Sequence, residues 1–188
     1  AGNILVTGTT NGTAGGVAES LTVQAGTGTA TFTGNVGNNT NATELEALTI
    51  TNAAATTFSG TLDLAGALTQ TNAATGTTTF SGAVSVGSAD LKGTDYALDN
   101  SFASAGTTAF INSGTVTKNA GTNITSTGAF STTGDVNLAA NITTTDTDLT
   151  IGGNLVIAEA AAPTLSTGAG TAGNILVTGT TNGTAGGV

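Results

Sequence analysis

Residues 172–188 repeat residues 1–17, AGNILVTGTTNGTAGGV, without a single change. So long a run of matches at one offset does not arise by chance, and self-similarity at a fixed period is the signature of a repeat array. The chain is therefore one 171-residue unit, residues 1–171, followed by the start of the next identical unit, residues 172–188. The two are expected to run on as one structure without a linker, with the echo reoccupying the place of residues 1–17 further along. Identical copies end to end suit a fibre or a spacer, not an enzyme.

A shorter period lies inside the unit. The phrases LTVQAGTGTATFTGNV (21–36), LTITNAAATTFSGTLDL (48–64) and LTQTNAATGTTTFSGAVSV (68–86) share an opening Leu-Thr, a turn, and Thr-Phe-(Ser/Thr)-Gly. Phe32, Phe58 and Phe80 are equivalent in them, and FINSGTVT (110–117) and FSTTGDVNL (130–138) read as looser versions. Within each phrase the alternation has period two. Ala30, Phe32 and Val36 face one way and Thr29, Thr31 and Thr33 the other, as do Leu48 and Ile50 against Thr49 and Thr51. That is the pattern of a half-buried strand, written in residues that fit a pleated surface. Gly and Asn clusters such as Asn11-Gly12 and Gly37-Asn38-Asn39 punctuate it as turns.

The chain is rich in Thr, Ala, Gly and Asn, with only 4% aromatic and 7% charged residues. It cannot fill a thick core, but it can fill a thin column. Short strands at an inner period near 21 residues predict an all-β parallel β-helix (β-solenoid) of about eight coils per unit, each strand pairing with the coils above and below. At about 4.8 Å per coil the unit rises roughly 38 Å. The rival, an array of β-sandwich domains, normally carries a core Trp or a tyrosine corner; this chain has no Trp and a single Tyr, Tyr96. With one Pro, Pro163, and no helix-length apolar stripe, helices are not expected.

The phrases at 21–86, and more weakly those at 110–157, resemble the repeat regions of bacterial filamentous-haemagglutinin-type and autotransporter-type surface proteins. The resemblance implies a right-handed parallel β-helix, secretion, and service as a rod-like stalk or adhesin.

The net charge of −9 argues against nucleic acid, which needs clustered Lys and Arg, and no apolar run is long enough to span a bilayer. There is no His or Cys, and the only basic residues are Lys92 and Lys118, so the common nucleophile–base pairs are missing and no catalysis and no cofactor are expected. Asp90, Lys92, Asp95 and Asp99 form the densest charge cluster, read as a solvated loop. A calcium ion is the one metal considered, at Asp146 and Asp148, whose alternation puts both carboxylates on one face. Thr-x-Thr at 7–9, 27–29, 49–51, 69–71 and 115–117 suggests an ice-binding face, although uneven coil lengths are expected to spoil its flatness. Six Asn-x-Thr sites, at Asn11, Asn38, Asn41, Asn123, Asn141 and Asn182, are candidate glycan acceptors. The expected function is structural: an extracellular or cell-surface fibre or stalk whose partners are its own copies, end to end and side by side. The alternative is an adhesin for glycans or surfaces.

Overall fold

A computed structural model describes residues 2–13, 18–37, 45–71, 75–170 and 172–184. Among these residues there is no helix, and the strand pairings are parallel. The chain winds through three sheets in the fixed order 1, 2, 3, then returns to sheet 1 one level higher, which is a parallel β-solenoid.

Sheet 1 holds nine strands: Ile4–Val6, Thr29–Phe32, Ala55–Phe58, Thr77–Phe80, Asp95–Leu98, Thr115–Lys118, Asp135–Leu138, Leu155–Ile157 and Thr181–Gly183. Sheet 2 holds six: Leu62–Asp63, Val84–Val86, Phe102–Ser104, Ile124–Ser126, Ile142–Thr144 and Leu165–Ser166. Single rungs at Thr10 and Val36 continue it downward. Sheet 3 holds eight: Glu19–Gln24, Leu45–Asn52, Ala67–Gln70, Ser88–Gly93, Thr108–Asn112, Phe130–Thr132, Leu149–Ile151 and Ile175–Val177.

Period-two alternation sorts the side chains. Ala30, Phe32, Val36, Leu48 and Ile50 are buried, and the threonines between them face outward. Coil length varies, because Ala30 stands under Thr56, Thr56 under Thr78, Thr78 under Tyr96 and Tyr96 under Val116, steps of 26, 22, 18 and 20 residues. The corners absorb this variation, so rungs stay in register within the strands. Among the described residues, register shifts occur only where Glu19–Gln24 meets Leu45–Asn52.

The interior is a column. Phe32, Phe58 and Phe80 stack nearly face to face, with centroids 5.1 and 5.2 Å apart. Phe102 continues the column from sheet 2, 5.7 Å above Phe80, and Phe110 and Phe130 from sheet 3. The later phrases are therefore not versions of the earlier one in space. Where the coil shortens to 18–20 residues, the phenylalanines that continue the column come from the other walls, and the sheet 1 ring is Tyr96, two residues earlier in its strand than the rung of Phe80. The sheet 1 rung of Phe80 is taken over by Leu98, Lys118 and Leu138.

The glycine of Thr-Phe-(Ser/Thr)-Gly has a steric cause. Gly8, Gly34, Gly60 and Gly82 lie one above another at the corner after sheet 1. A Cβ on Gly34 would fall 2.4 Å from the carbonyl oxygen of Gly8, and one on Gly82 2.1 Å from that of Gly60. At Gly34, Gly60 and Gly82 a Cβ could be added only by moving the coil below; the column ends at Asn100, which stands over Gly82 in register.

Candidate functional site

The most regular polar feature is a set of braces between coils. Asn or Asp stands immediately before the first inward residue of a strand, and its Oδ1 accepts the backbone N–H of the residue one coil above. Asn3 takes Thr29 N at 3.0 Å, Asn35 takes Thr61 N at 3.1 Å and Asp95 takes Thr115 N at 2.8 Å. Two run on as ladders: Asn123 to Asn141 to Thr164, and Asp135 to Asn154 to Thr180. Each satisfies a backbone N–H at or just before the start of a strand, worth about 1 kcal/mol.

Asp146 and Asp148 belong to this system. Asp146 Oδ1 accepts Gly170 N at 2.7 Å, and its backbone is left-handed, with φ of 54°. Asp148 Oδ1 accepts both the backbone N–H and the side-chain amide of Asn174, at 2.9 and 3.1 Å. Both carboxylates lie in the turn between Ile142–Thr144 and Leu149–Ile151 and hold the next coil. Among the described residues no group of three or more His, Cys, Asp or Glu gathers to add to them.

Three members of the charge cluster, Asp90, Lys92 and Asp95, lie on strands, and Asp99 is exposed in the corner just after one. Asp90 and Lys92 are exposed on the outer face of sheet 3, with Lys92 directly under Ile111. Asp95 is a brace. Asp99 accepts from the Asn119 amide at 2.6 Å and from the Ser81 hydroxyl at 3.4 Å. Beside Lys92, an apolar groove of about 490 Å³ is lined by Gly93, Ile111, Asn112, Ser113 and Thr133.

Lys118 is buried, which composition concealed although the alternation Val116-x-Lys118 indicates it. Its stem fills an inward rung between Leu98 and Leu138. Its Nζ bends to the carbonyls of Leu98 and Asn119, at 3.2 and 2.8 Å. Burial lowers its pKa, and Asp99 partly offsets this. The folded chain thus holds this proton less tightly than the unfolded one. Stability is expected to rise as pH climbs from the depressed value towards 10.5, the ordinary value for Lys. Burial pushes Tyr96 up, with Asp90 adding to it, so stability falls again once unfolded chains begin to lose the phenolic proton near 10.0. Urea midpoints measured between pH 8 and 11 should pass through this maximum, and Lys118→Met should abolish the rising limb.

Tyr96 is fully buried, and its hydroxyl has no hydrogen-bond partner. A neighbouring polar patch satisfies itself without it: Thr78 Oγ1 donates to Gln70 Oε1, and Gln70 Nε2 donates to the carbonyl of Lys92. Tyr96→Phe removes only the unpaired hydroxyl and keeps the ring on Phe110. It is expected to stabilise the fold by about 1 kcal/mol. A lowered urea midpoint would contradict this.

The outer faces are hydroxyl-rich. Thr31, Thr57 and Thr79 form one column on sheet 1, and Thr22, Thr49 and Thr69 another on sheet 3. Uneven coil lengths do not break their register, because the slack sits in the corners. Each column ends after three rungs, at Ala97 and Asp90. All six Phe and the single Tyr are buried, so the outside carries no aromatic platform.

Of the candidate glycan acceptors, Asn38 and Asn41 lie outside the described residues. Asn123 and Asn141 have Oδ1 engaged as braces, and Asn11 and Asn182 are exposed. No described helix is long and apolar enough to cross a membrane. Compared with known proteins, the chain matches no family model, no curated protein and no solved structure.

Proposed function

We propose that this chain is a stretch of a structural rod, an extracellular fibre or cell-surface stalk of tandem 171-residue solenoid units, with no catalytic role. The observation that supports this best is the pairing of the repeated segment. Ile175–Val177 and Thr181–Gly183 add to Leu149–Ile151 and Leu155–Ile157 through ordinary parallel ladders, so the start of the second copy is simply the next coil. Stability in such a stack is a sum of coil and neighbour terms, and a long array carries load without a weak joint. The interior supports the same role. It is packed mainly with apolar side chains, and Asn and Asp side chains at the corners brace one coil to the next.

Open sheet edges template further strands. The 188-residue chain is therefore expected to associate end to end, giving concentration-dependent elongated species in sedimentation velocity. A monomer that persists at high concentration counts against the rod. The acidic balance, eleven Asp and Glu against two Lys, keeps rods apart at low salt and lets divalent cations bundle them. Light scattering that stays flat through a calcium titration contradicts the bundling.

A second reading, an ice-binding face, is favoured by the in-register threonine columns; absence of thermal hysteresis removes it. The glycan-binding adhesin gains less support, because sugar recognition commonly uses exposed aromatic rings and these are all inside.

A further inference from the structure

The same words occupy different faces at the two ends of the chain. Ile4 and Val6 lie in sheet 1, under Ala30 and Phe32. Their identical counterparts Ile175 and Val177 lie in sheet 3, over Leu149 and Ile151. Thr10 is a rung of sheet 2, under Val36, and its counterpart Thr181 is a rung of sheet 1, over Leu155. Both displacements are one sheet back in the order 1, 2, 3. Residues 173–183 therefore do not reoccupy the place of residues 2–12. The nine strands of sheet 1 put Thr181–Gly183 eight coils above Ile4–Val6, and Ile175–Val177 comes one sheet earlier. The unit advances the rod by seven and two-thirds coils.

We infer that successive copies in a tandem rod are set about a third of a turn apart, so that any patch of the unit faces three directions in turn. This rests on the rod reading above. The side chains tolerate the change of face because the inward sense is kept. By register Ile175 and Val177 stand over the inward Leu149 and Ile151, as Ile4 and Val6 stand under the inward Ala30 and Phe32. Leu5 and Leu176 take the outward rung between them, and Ile175, on the last coil, is still 48% exposed. A shift by one residue would turn every side chain over; a shift by one whole sheet turns none. The braces are equally transferable. As Asn3, the residue before the strand accepts Thr29 N from above; as Asn174, it donates to Asp148 below. One residue carries both halves of a continuous ladder, on whichever wall it falls.

The consequence concerns the sides of the rod. The column Thr31-Thr57-Thr79 lies on sheet 1 in this copy. It falls on sheet 3 in the next copy and on sheet 2 in the third. It returns to its first face after three copies, which is 23 coils or about 110 Å at roughly 4.8 Å per coil. A second rod of the same chain, packed alongside through such a patch, meets it once per full repeat on each flank. Equivalent neighbours then fit on all three flanks, which builds a bundle and not a flat ribbon.

Cysteine labelling tests this, because the chain has no Cys. Thr77 is exposed at the start of a sheet 1 strand. With Thr77→Cys in every unit of the tandem protein and maleimide-gold attached, electron tomography should show particles about 37 Å apart along the axis. They should step by about 120° per unit beyond the gradual twist of the sheets. Particles at that spacing in single file along one side overturn the rotation and leave the rod intact. Particles without a regular axial spacing overturn the rod and the rotation together.

Discussion

Phe58→Ala is expected to cost about 3–5 kcal/mol, a large share of the roughly 5–15 kcal/mol that stabilises an ordinary domain. Phe58 is 2% exposed and lies between Phe32 and Phe80, its ring within 9° of parallel to both. The deletion removes two stacking contacts, each worth about 1 kcal/mol, and leaves a hole that its neighbours cannot close. Their backbones are fixed at strand spacing by ladders on either side: Thr57 pairs with Thr31 below and Thr79 above. Collapse would need two coils to move together. Leu5→Ala, at a residue 63% exposed, removes an outward side chain and should stay within about 0.5 kcal/mol. Urea unfolding of both variants checks the contrast. A Phe58→Ala loss below 1 kcal/mol would mean that the aromatic column is not the core.

Gly82→Ala adds one methyl group and is expected to cost about 3 kcal/mol, the upper end of ordinary overpacking. The added Cβ would lie 2.1 Å from the Gly60 carbonyl oxygen, 2.4 Å from its carbon and 2.8 Å from Thr61 N. All three are backbone atoms of the coil below, and neither chain is free to give. Ser81 N donates to the Phe58 carbonyl at 2.9 Å, and Leu62 N to the Ala83 carbonyl at 2.9 Å. Gly8→Ala in the monomeric 188-residue chain is the matched control, because no coil lies below it there and an added Cβ meets nothing within 4 Å. It should be near neutral, whereas a Cβ on its repeat counterpart Gly179 would lie 2.6 Å from the Gly153 carbonyl oxygen. Equal losses for Gly82→Ala and Gly8→Ala would show that the backbone conformation at these positions, not the close approach of coils, explains the glycines.

Local alternation made much of this fold legible. Thr-Ala-Thr-Phe and Leu-Thr-Ile-Thr state which side chains go inside, and the spacing of Phe32, Phe58 and Phe80 states which coils stack. Phe110 and Phe130 misled, because a similar phrase on a shorter coil falls on another wall. The third of a turn between copies was hidden for the same reason. It depends on how many corners lie in 171 residues, and corners vary in length while strands do not. The braces carry a signal that can be read in hindsight, an Asn or Asp directly before an inward Ile, Leu, Val or Tyr. Their acceptors point to residues 18 to 26 positions away, an interval no fixed period supplies. Asp146 and Asp148 drew notice as an acidic pair, yet their neighbours are backbone N–H groups of the coil above. Lys118 is the plainest lesson: its charge says outside, and its place two residues after Val116 says inside.

The central claim is that the coil ladder runs through the unit boundary. Cryo-electron microscopy of filaments containing several consecutive units tests it most directly. The account predicts a three-walled rod with rungs about 4.8 Å apart, unbroken from Leu149–Ile151 into Ile175–Val177 and onward into the next copy. Separate globular bodies joined by linkers at each 171-residue interval would contradict it.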